Sequence, residues 1–421
     1  MKKLFFFLLS ALIIGSILTA VFILPASAAT YTGYCGANGD NLSWTFDTST
    51  KTLTISGSGM MANYIDYEGP WDSYRDSIKK LVIEEGVLSV GEYAFHDCSS
   101  LKKVTLPESL LNINARAFYS CEALKSITLP NAVEGIGANA FDRCSALKTV
   151  TLSESLMVIG KAAFKECSAL KSITFPQSLK NIQDSAFQKC SSLKQVFLSD
   201  SVEYIGQSAF AYCTSVKEIR LSSALVSIGA SAFKNCTSLK SVSSEAKTQL
   251  QWLGEEAFYE CSSLESVDLK GELTTIERYT FYGCTALKSI TIPEGVTGIS
   301  YEAFYNCKRL KSITLPESLL WIDNKAFYNC RKLKTVYNCS TLYIVDGSSG
   351  YGGIAYYAKQ IHSFAPEEGT SGVVSFLRFF AWSSVVVLVV SIVAVGVFIK
   401  KSKTKQRREA DLYFGESKTP Q

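Results

Sequence analysis

Residues 117–139 carry the sequence AFYSCEALKSITLPNAVEGIGAN, and this unit recurs through most of the chain. Its anchor is a phenylalanine, usually preceded by alanine and followed three residues later by cysteine. The step between anchors is 23 residues, except between Phe233 and Phe258, where it is 25. A repeat of about 20–50 residues is typical of solenoids and related arrays. The anchors are Phe95, Phe118, Phe141, Phe164, Phe187, Phe210, Phe233, Phe258, Phe281, Phe304 and Phe327.

The recurrence of the same residue types follows from stacking. In a solenoid, each residue lies over its equivalent one coil away, at about the 4.7–4.9 Å spacing of neighbouring strands. A buried position must therefore be apolar in every coil, and the core forms only when coils stack. We predict one structural ladder that includes Phe118, Phe141 and Phe164. A second ladder includes Cys121, Cys144 and Cys167.

Each repeat also contains a short strand pattern, which is clearest in Leu124-Lys-Ser-Ile-Thr-Leu129. Because strand side chains alternate between the two faces, Ile127 and Leu129 are predicted to point inward, with Ser126 and Thr128 outward. The proline that follows ends the strand, since it has no N–H to donate to a neighbouring strand.

The combined pattern is Cys-x-x-Leu-Lys-x-Ile-x-Leu-Pro followed by Ile-Gly-x-x-Ala-Phe, and it resembles the BspA-like, or treponemal-type, leucine-rich repeat. The resemblance covers about residues 78–337. It implies a β-rich horseshoe with a parallel β-sheet on its concave face and short strands, turns and helical turns elsewhere. It also implies a surface or secreted protein that acts in adhesion or protein binding, without catalytic residues. The repeat departs from the pattern near residues 243–253, where a proline is missing and two residues are inserted.

The segments that flank the repeats do not follow the repeat pattern. Residues 41–46 and 51–56 alternate apolar and polar side chains and predict a β-hairpin. The terminal coils of a solenoid would expose an apolar end, so atypical capping sequences are expected there. We assign residues 29–77 as an N-terminal cap and 338–364 as a C-terminal cap, followed by a polar linker at 365–378.

Both ends of the chain predict export and a membrane anchor. Residues 1–28 combine two lysines, a long apolar run and an A-x-A-type cleavage site, which is typical of a signal peptide. Residues 379–399 are 21 uncharged residues, enough for one transmembrane helix. The basic tail at 400–421 is then cytoplasmic by the positive-inside rule. These segments predict a single-pass protein of the cell membrane with an extracellular repeat domain.

The net charge of +4 is unevenly distributed. Ten basic and three acidic residues lie in the signal peptide, at Arg378 and in the tail, which leaves 32 basic and 35 acidic residues in 29–377. The external part is therefore slightly acidic. Because nucleic-acid-binding proteins usually present a basic face, we expect no nucleic-acid partner.

Cysteine usage favours free thiols. Eleven of the 13 cysteines occupy one stacked position, where their side chains run parallel. A disulfide needs converging Cβ atoms about 3.8 Å apart, whereas a free cysteine packs well as a small apolar residue. The 23-residue spacing also lacks the short paired spacing of zinc sites. Cys35 and Cys339 lie outside this position, near opposite ends of the solenoid, and are not expected to pair.

No catalytic constellation is evident. His96 lies two residues before Cys98, but equivalent positions hold residues as different as Tyr119 and Asp142. That variation predicts an exposed site without a conserved role in the repeat. No P-loop, nucleophile elbow or metal motif is present in the sequence. We predict that the protein is not an enzyme and needs no cofactor or metal.

One candidate contact surface lies on the strands of the middle repeats. Outward positions there are mostly serine and threonine, but they become Phe197, Glu218 and Arg220. An outward phenylalanine beside charged residues is a candidate ligand contact. The alternative is neutral drift on a solvated strand.

A second candidate surface is the position after the phenylalanine anchor. In the last four coils it holds Tyr259, Tyr282, Tyr305 and Tyr328. Tyrosine is enriched at interfaces because an apolar ring carries a polar tip. Stacked rings offer a surface for protein or for flat sugar faces. The alternative is a self-packing ladder that stiffens the edge of the coils.

Together these features predict a non-catalytic cell-surface binding or adhesion protein whose partner is an extracellular protein or glycan. Two other functions remain open. One is a structural envelope protein without a dedicated ligand, and the other is a glycan-binding accessory or sensor protein. The short tail contains no recognisable signalling domain, which counts against a sensor.

Overall fold

A computed structural model describes residues 29–65 and 68–363 of the chain. The predicted signal peptide, linker, transmembrane helix and cytoplasmic tail lie outside these residues. Within the described part, no helix is long and apolar enough to cross a membrane.

The N-terminal cap is a small antiparallel sheet that merges into the repeats. The strands Gly39–Asp47 and Thr52–Gly57 form the hairpin, and Thr30–Gly36 adds a third strand that the sequence did not suggest. Thr52–Gly57 then pairs in parallel with Lys80–Ile83, the first strand of the repeats. The cap therefore supplies hydrogen-bonding partners to the exposed edge of the first coil. A 3-10 helix, Asp72–Ser77, completes the cap.

One side of the solenoid, the long-strand face, carries one strand in every coil except that of residues 172–174, and its strands fall into separate sheets. These strands pair in parallel, with Ser126 opposite Thr149 and Ile127 opposite Val150. Ile127 is buried while Ser126 and Thr128 are exposed, so the predicted alternation is confirmed. The strands are Lys80–Ile83, Lys103–Thr105, Ser126–Thr128, Thr149–Thr151, Gln195–Phe197, Glu218–Leu221, Ser241–Ser244, Ser266–Val267, Ser289–Thr291, Ser312–Leu315, Thr335–Asn338 and Gln360–Ser363.

A second side, the short-strand face, carries a shorter strand from each coil. Its parallel sheet is broken once, between Trp252–Leu253 and Thr275–Ile276. Pairing is kept across the two-residue insertion, with Ser227 opposite Trp252 and Ile228 opposite Leu253, so the break lies one coil later. The strands are Gly59–Met60, Val87–Val90, Asn112–Ile113, Gly135–Ile136, Val158–Ile159, Asn181–Ile182, Tyr204–Ile205, Ser227–Ile228, Trp252–Leu253, Thr275–Ile276, Gly298–Ile299 and Trp321–Ile322.

The third side, the turn face, runs through the phenylalanine anchors. Residues two before and two after each anchor have positive φ, as at Arg116 (54°) and Ser120 (58°). The alternation of right- and left-handed residues turns the N–H groups toward the next coil. Arg116 and Phe118 donate to Ala138 and Ala140 at 2.8 Å. Because these bonds are made in nearly every coil, they offset the cost of about 1–3 kcal/mol that a left-handed non-glycine residue carries.

The core contains the two predicted ladders together with buried leucine, isoleucine and valine side chains. Neighbouring phenylalanine rings are nearly parallel, with centroids 5.3 Å apart from Phe118 to Phe141 and from Phe141 to Phe164. In the cysteine ladder, each thiol from Cys121 onward donates to the carbonyl of the phenylalanine in the preceding coil, as from Cys144 to Phe118 at 3.2 Å. All 13 cysteines are free, and only Cys339 is partly exposed.

The expectation for His96 was wrong, because its side chain is 2 % exposed. Its Nδ1 lies 2.6 Å from the carbonyl oxygen of Tyr93, and its ring meets the Tyr93 ring edge to face. Asp142, at the same position two coils later, is also buried. Variation at this position therefore reflects local packing in each coil rather than exposure.

The C-terminal cap closes the other end of the ladders. A 3-10 turn, Tyr351–Gly353, brings the carbonyl of Gly352 to within 2.9 Å of the Phe327 N–H, which donates to it. Ile354 and Ala355 are buried against the last coil. The strand Gln360–Ser363 then extends the long-strand face by pairing with Thr335–Asn338. This strand was not predicted from the sequence.

Candidate functional site

The four predicted tyrosines form one continuous stack on the turn face, here called the tyrosine ladder. The ring centroids lie 4.8 Å apart from Tyr259 to Tyr282, and 4.8 Å from Tyr282 to Tyr305. The last step, from Tyr305 to Tyr328, is 5.5 Å with a 21° tilt. Because each ring covers its neighbour, the inner faces have no room for a ligand. What the ladder offers to solvent is a ribbon of half-buried ring edges.

The two ends of the tyrosine ladder differ. At the first ring, the ammonium of Lys234 lies 4.5 Å from the Tyr259 centroid, and it also pairs with Glu256 at 2.8 Å. At the other end, Tyr328 is 56 % exposed. The ladder is therefore closed by a cation at one end and open to solvent at the other.

Two further tyrosines, which the sequence reasoning missed, widen this surface. Tyr279 meets the rings of Tyr282 and Tyr301 edge to face, with centroids 6.0 and 5.8 Å apart. Lys325 lies over Tyr301, with its Nζ 5.6 Å from the centroid. The sequence does contain a signal, since each of these tyrosines precedes an anchor of a consecutive coil. Tyr279 lies two residues before its anchor and Tyr301 three residues before, so the two do not occupy the same position of the repeat.

Desolvation keeps the half-buried phenols neutral. Desolvation raises the pKa of Tyr259, Tyr279 and Tyr282 above the ordinary value of 10.0. These hydroxyls therefore stay protonated at neutral pH and act as hydrogen-bond donors as well as acceptors. The site is suited to polar recognition at ring edges rather than to acid–base chemistry.

The second candidate, in the middle repeats, is a separate cluster on the long-strand face. Phe197 and Arg220 lie opposite each other on neighbouring strands, and the guanidinium is 4.8 Å from the ring centroid. Arg220 also pairs with Glu245 at 2.7 Å. Glu218 lies on the same strand as Arg220, on the same face, and is partly exposed. The ring of Phe197 is therefore partly covered by a cation, and this cluster does not join the tyrosine ladder.

Neither cluster includes a histidine or a cysteine. Among residues 29–65 and 68–363, no group of three or more histidine, cysteine, aspartate or glutamate side chains is placed to hold a metal ion. The ladder thiols are far from nucleophilic, since burial raises the pKa of Cys236, for example, to about 12.

Stacked parallel coils of about 23 residues, with a leucine, isoleucine, phenylalanine and cysteine core, define a leucine-rich-repeat solenoid. The sequence model of the BspA-type leucine-rich repeat region matches residues 73–194, 151–251 and 251–350. These matches run without a gap from 73 to 350. The chain therefore belongs to the BspA-type leucine-rich repeat family.

Several solved structures are similar to the chain. A leucine-rich repeat protein from Bacteroides ovatus is 26 % identical, with 77 % of this chain and 99 % of that chain covered and a TM-score of 0.48. A leucine-rich repeat protein from Eubacterium ventriosum is 19 % identical, with coverages of 77 % and 99 % and a TM-score of 0.42. A leucine-rich cell surface protein from Faecalibacterium prausnitzii is 23 % identical, with coverages of 74 % and 96 % and a TM-score of 0.40. No curated protein gives a significant match.

Proposed function

We propose that this chain is a non-catalytic cell-surface protein that binds an extracellular protein through the tyrosine ladder of its last four coils. The observation that carries the proposal is the ribbon of partly exposed phenol edges from Tyr259 to Tyr328, which ends in an open ring. The predicted signal peptide and the predicted span at 379–399 support a location outside the cell, with the tail in the cytoplasm.

The ribbon suits a protein partner for two physical reasons. Tyrosine loses little conformational entropy on binding and combines apolar contact with a hydroxyl. Because the rings of Tyr259, Tyr282 and Tyr305 already stack on one another, they are held in place before the partner arrives, which lowers the ordering cost of association.

The test begins with the full-length chain in detergent, screened against arrays of extracellular proteins and of glycans. For a partner found in this way, the double substitution Tyr282→Ala and Tyr305→Ala is expected to weaken binding by at least about 2 kcal/mol, as for interface hot spots. Replacing both residues with phenylalanine keeps the stack and removes the hydroxyls, so it separates apolar contact from hydrogen bonding.

A matched control is available at the same position of the repeat in earlier coils. Lys165 and Gln188 also follow a phenylalanine anchor and are also partly buried. Replacing both with alanine is expected to leave binding unchanged. If the tyrosine double variant folds, as judged by circular dichroism, and retains full affinity, the tyrosine ladder is not the binding site. If no array component binds, the structural envelope role is favoured instead.

A second candidate function, glycan binding, is supported by one ring alone. Only Tyr328 has an outer face that a flat sugar could cover, because the other rings are sandwiched or, at Tyr259, faced by Lys234. Tyr328→Ala is then expected to abolish glycan binding, while Tyr282→Phe has no effect. Loss of binding in both variants would argue against stacking on Tyr328.

A further inference from the structure

A row of lysines runs along the solenoid, seven residues after each phenylalanine anchor. The row extends one coil before the first anchor, to Lys79, and into the C-terminal cap, to Lys359, and it is broken only at Glu265. Each lysine in it is exposed. The row, here called the lysine edge, consists of Lys79, Lys102, Lys125, Lys148, Lys171, Lys194, Lys217, Lys240, Lys288, Lys311, Lys334 and Lys359.

Backbone hydrogen bonds set the spacing of the lysine edge. The N–H of Lys240 donates to Lys217 at 2.8 Å, and that of Lys359 donates to Lys334 at 2.8 Å. Successive lysines therefore lie one strand spacing apart, about 4.8 Å. Lys288 pairs with Glu265. None of the other eleven pairs with an acidic side chain in the described part of the chain, so their charge faces solvent.

A groove lies beside the lysine edge in the later coils. It has a volume of about 520 Å³ and is lined by Lys240, Glu265, Lys308, Arg309 and Lys332. Small residues form the rest of its lining: Ser262, Ser263, Thr285 and Ala286. Four basic side chains therefore meet one carboxylate, which Lys288 already engages. We call this the basic groove.

The basic groove is more positive than equivalent positions elsewhere. The residues four and five after the anchor are small or polar in most coils, but in the last two coils they become Lys308, Arg309, Arg331 and Lys332. A similar groove in earlier coils, of about 600 Å³, is lined by both Glu122 and Glu166 as well as Arg143 and Lys189, so its charges nearly cancel. Positive charge is thus concentrated at one end, in a chain whose external part is slightly acidic.

We propose that the basic groove and the adjoining lysine edge bind a linear acidic polysaccharide, with one carboxylate on each sugar, laid along the axis of the stacked coils. One lysine per coil at strand spacing is close to the rise per residue of an extended β-linked pyranose chain. Because neighbouring sugars of such a chain are turned over, alternate carboxylates face the same side and meet every second ammonium group of the lysine edge, except beside Glu265. The hydroxyls of Ser262, Ser263 and Thr285 line the groove and suit hydrogen bonding to sugar hydroxyls.

Nucleic acid fits this surface less well. Binding of single strands relies on aromatic side chains on which bases stack, and no aromatic residue lines the basic groove. A duplex is a broad polyanion that would also face the acidic remainder of the external part. A narrow polysaccharide chain meets the basic residues alone.

The test uses the full-length chain and three probes: polymannuronate, a neutral mannan of the same linkage, and oligo-dT. Lysine acetylation followed by mass spectrometry locates the bound polymer even if the basic tail also binds it. Polymannuronate is expected to protect Lys240, Lys308 and Lys332 from acetylation. Lys161 and Lys247, which lie outside the lysine edge, remain reactive. The neutral mannan protects neither set.

Affinity measurements complete the test. The triple variant Lys308→Gln, Arg309→Gln and Lys332→Gln is expected to lose about tenfold in affinity at low salt, since each exposed charge contributes modestly. The matched triple variant Lys161→Gln, Lys180→Gln and Lys247→Gln removes the same charge elsewhere and retains binding. The tyrosine double variant is also expected to retain polymannuronate binding. Failure of this proposal can therefore be distinguished from failure of the proposed tyrosine-ladder function.

Two results would overturn the proposal. Equal protection and affinity with oligo-dT would show a surface for any polyanion rather than for an acidic polysaccharide. Absence of protection at Lys240, Lys308 and Lys332 would show that the lysine edge is a solvated row of charges that serves only solubility.

Discussion

The indole of Trp71 stacks on the ring of Phe95, with centroids 5.1 Å apart and planes 12° from parallel. Its Nε1 donates a hydrogen bond of 2.7 Å to the carbonyl oxygen of Ala94. Trp71 belongs to the N-terminal cap, yet it acts as the first rung of the phenylalanine ladder. It covers the exposed end of that ladder and satisfies a carbonyl group that has no preceding coil to bond with.

Trp71→Ala is therefore expected to destabilise the first coils. Truncating a buried aromatic side chain costs about 3–5 kcal/mol. Trp71→Phe should cost less, because it keeps a ring on Phe95 and loses only the N–H donor. Urea unfolding measures the change, and hydrogen exchange should show lost protection at residues 93–97 before later coils respond. Trp252→Ala is the control, since Trp252 is exposed. Unchanged protection at 93–97 in Trp71→Ala would contradict this role.

The cysteine ladder predicts a pattern of thiol reactivity. Only thiolates react readily, and burial raises the pKa of most ladder thiols, with that of Cys236 at about 12. Burial also raises the pKa of Cys35 to about 12. Short alkylation of the native protein should therefore modify Cys339 alone, and all 13 cysteines should react in denaturant. Mass spectrometry counts the labels, and Cys339→Ser should abolish native labelling. Rapid labelling of any ladder cysteine without unfolding would disprove the burial.

Two glycines of the C-terminal cap form a matched pair. Gly347 and Gly352 both have positive φ, 72° and 67°. A Cβ at Gly352 would lie 2.5 Å from the carbonyl oxygen of Asp323, whereas one at Gly347 would meet nothing within 4 Å. Gly347→Ala is expected to cost about 1 kcal/mol from backbone strain. Gly352→Ala should cost more, since it also disturbs the bond to Phe327. Equal losses in thermal unfolding would show that this close approach does not matter.

Asp142 predicts a pH dependence of stability. Its carboxyl is buried, with one oxygen accepting from Asn139 at 2.8 Å and the other without a partner. Desolvation raises its pKa above the ordinary 3.8. The folded protein thus binds the proton more readily than the unfolded chain, so this group's contribution to stability falls as the pH rises through its folded pKa.

Asp142→Asn removes that titration. The free energy of unfolding of the variant minus that of the wild type should therefore increase from pH 4 to pH 7. Denaturant unfolding at each pH measures it. A difference that stays constant over this range would mean that Asp142 is not desolvated in the folded state.

Comparing equivalent positions of the repeats, here called columns, predicted which side chains form the core. It did not predict correctly whether every other position is buried or exposed. The Phe118 and Cys121 columns are invariant in type and are buried. The column of His96 varies freely, which suggested exposure, yet His96 and Asp142 are buried because neighbouring side chains cover them in those coils. Variation in a column shows that no single residue is required at that position, and it says little about solvent access.

The candidate sites show the same limit. The sequence placed Tyr259, Tyr282, Tyr305 and Tyr328 in one column, but whether they faced a ligand or one another depended on their side-chain directions. The stacked arrangement at 4.8 Å leaves edges and one terminal face free. Likewise, Phe197 was predicted as an outward contact, and its cover by Arg220 followed only from the pairing of two strands.

The sequence alone determined the repeat, its length and the side chains that form the core, because stacked coils require the same apolar residue at the same position in each turn. The tertiary structure decided how the ends are closed by Trp71 and Gly352, and which of the charges that recur along the repeats are paired. These features depend on contacts between segments without a common repeat position, and on side-chain directions that no period in the sequence encodes.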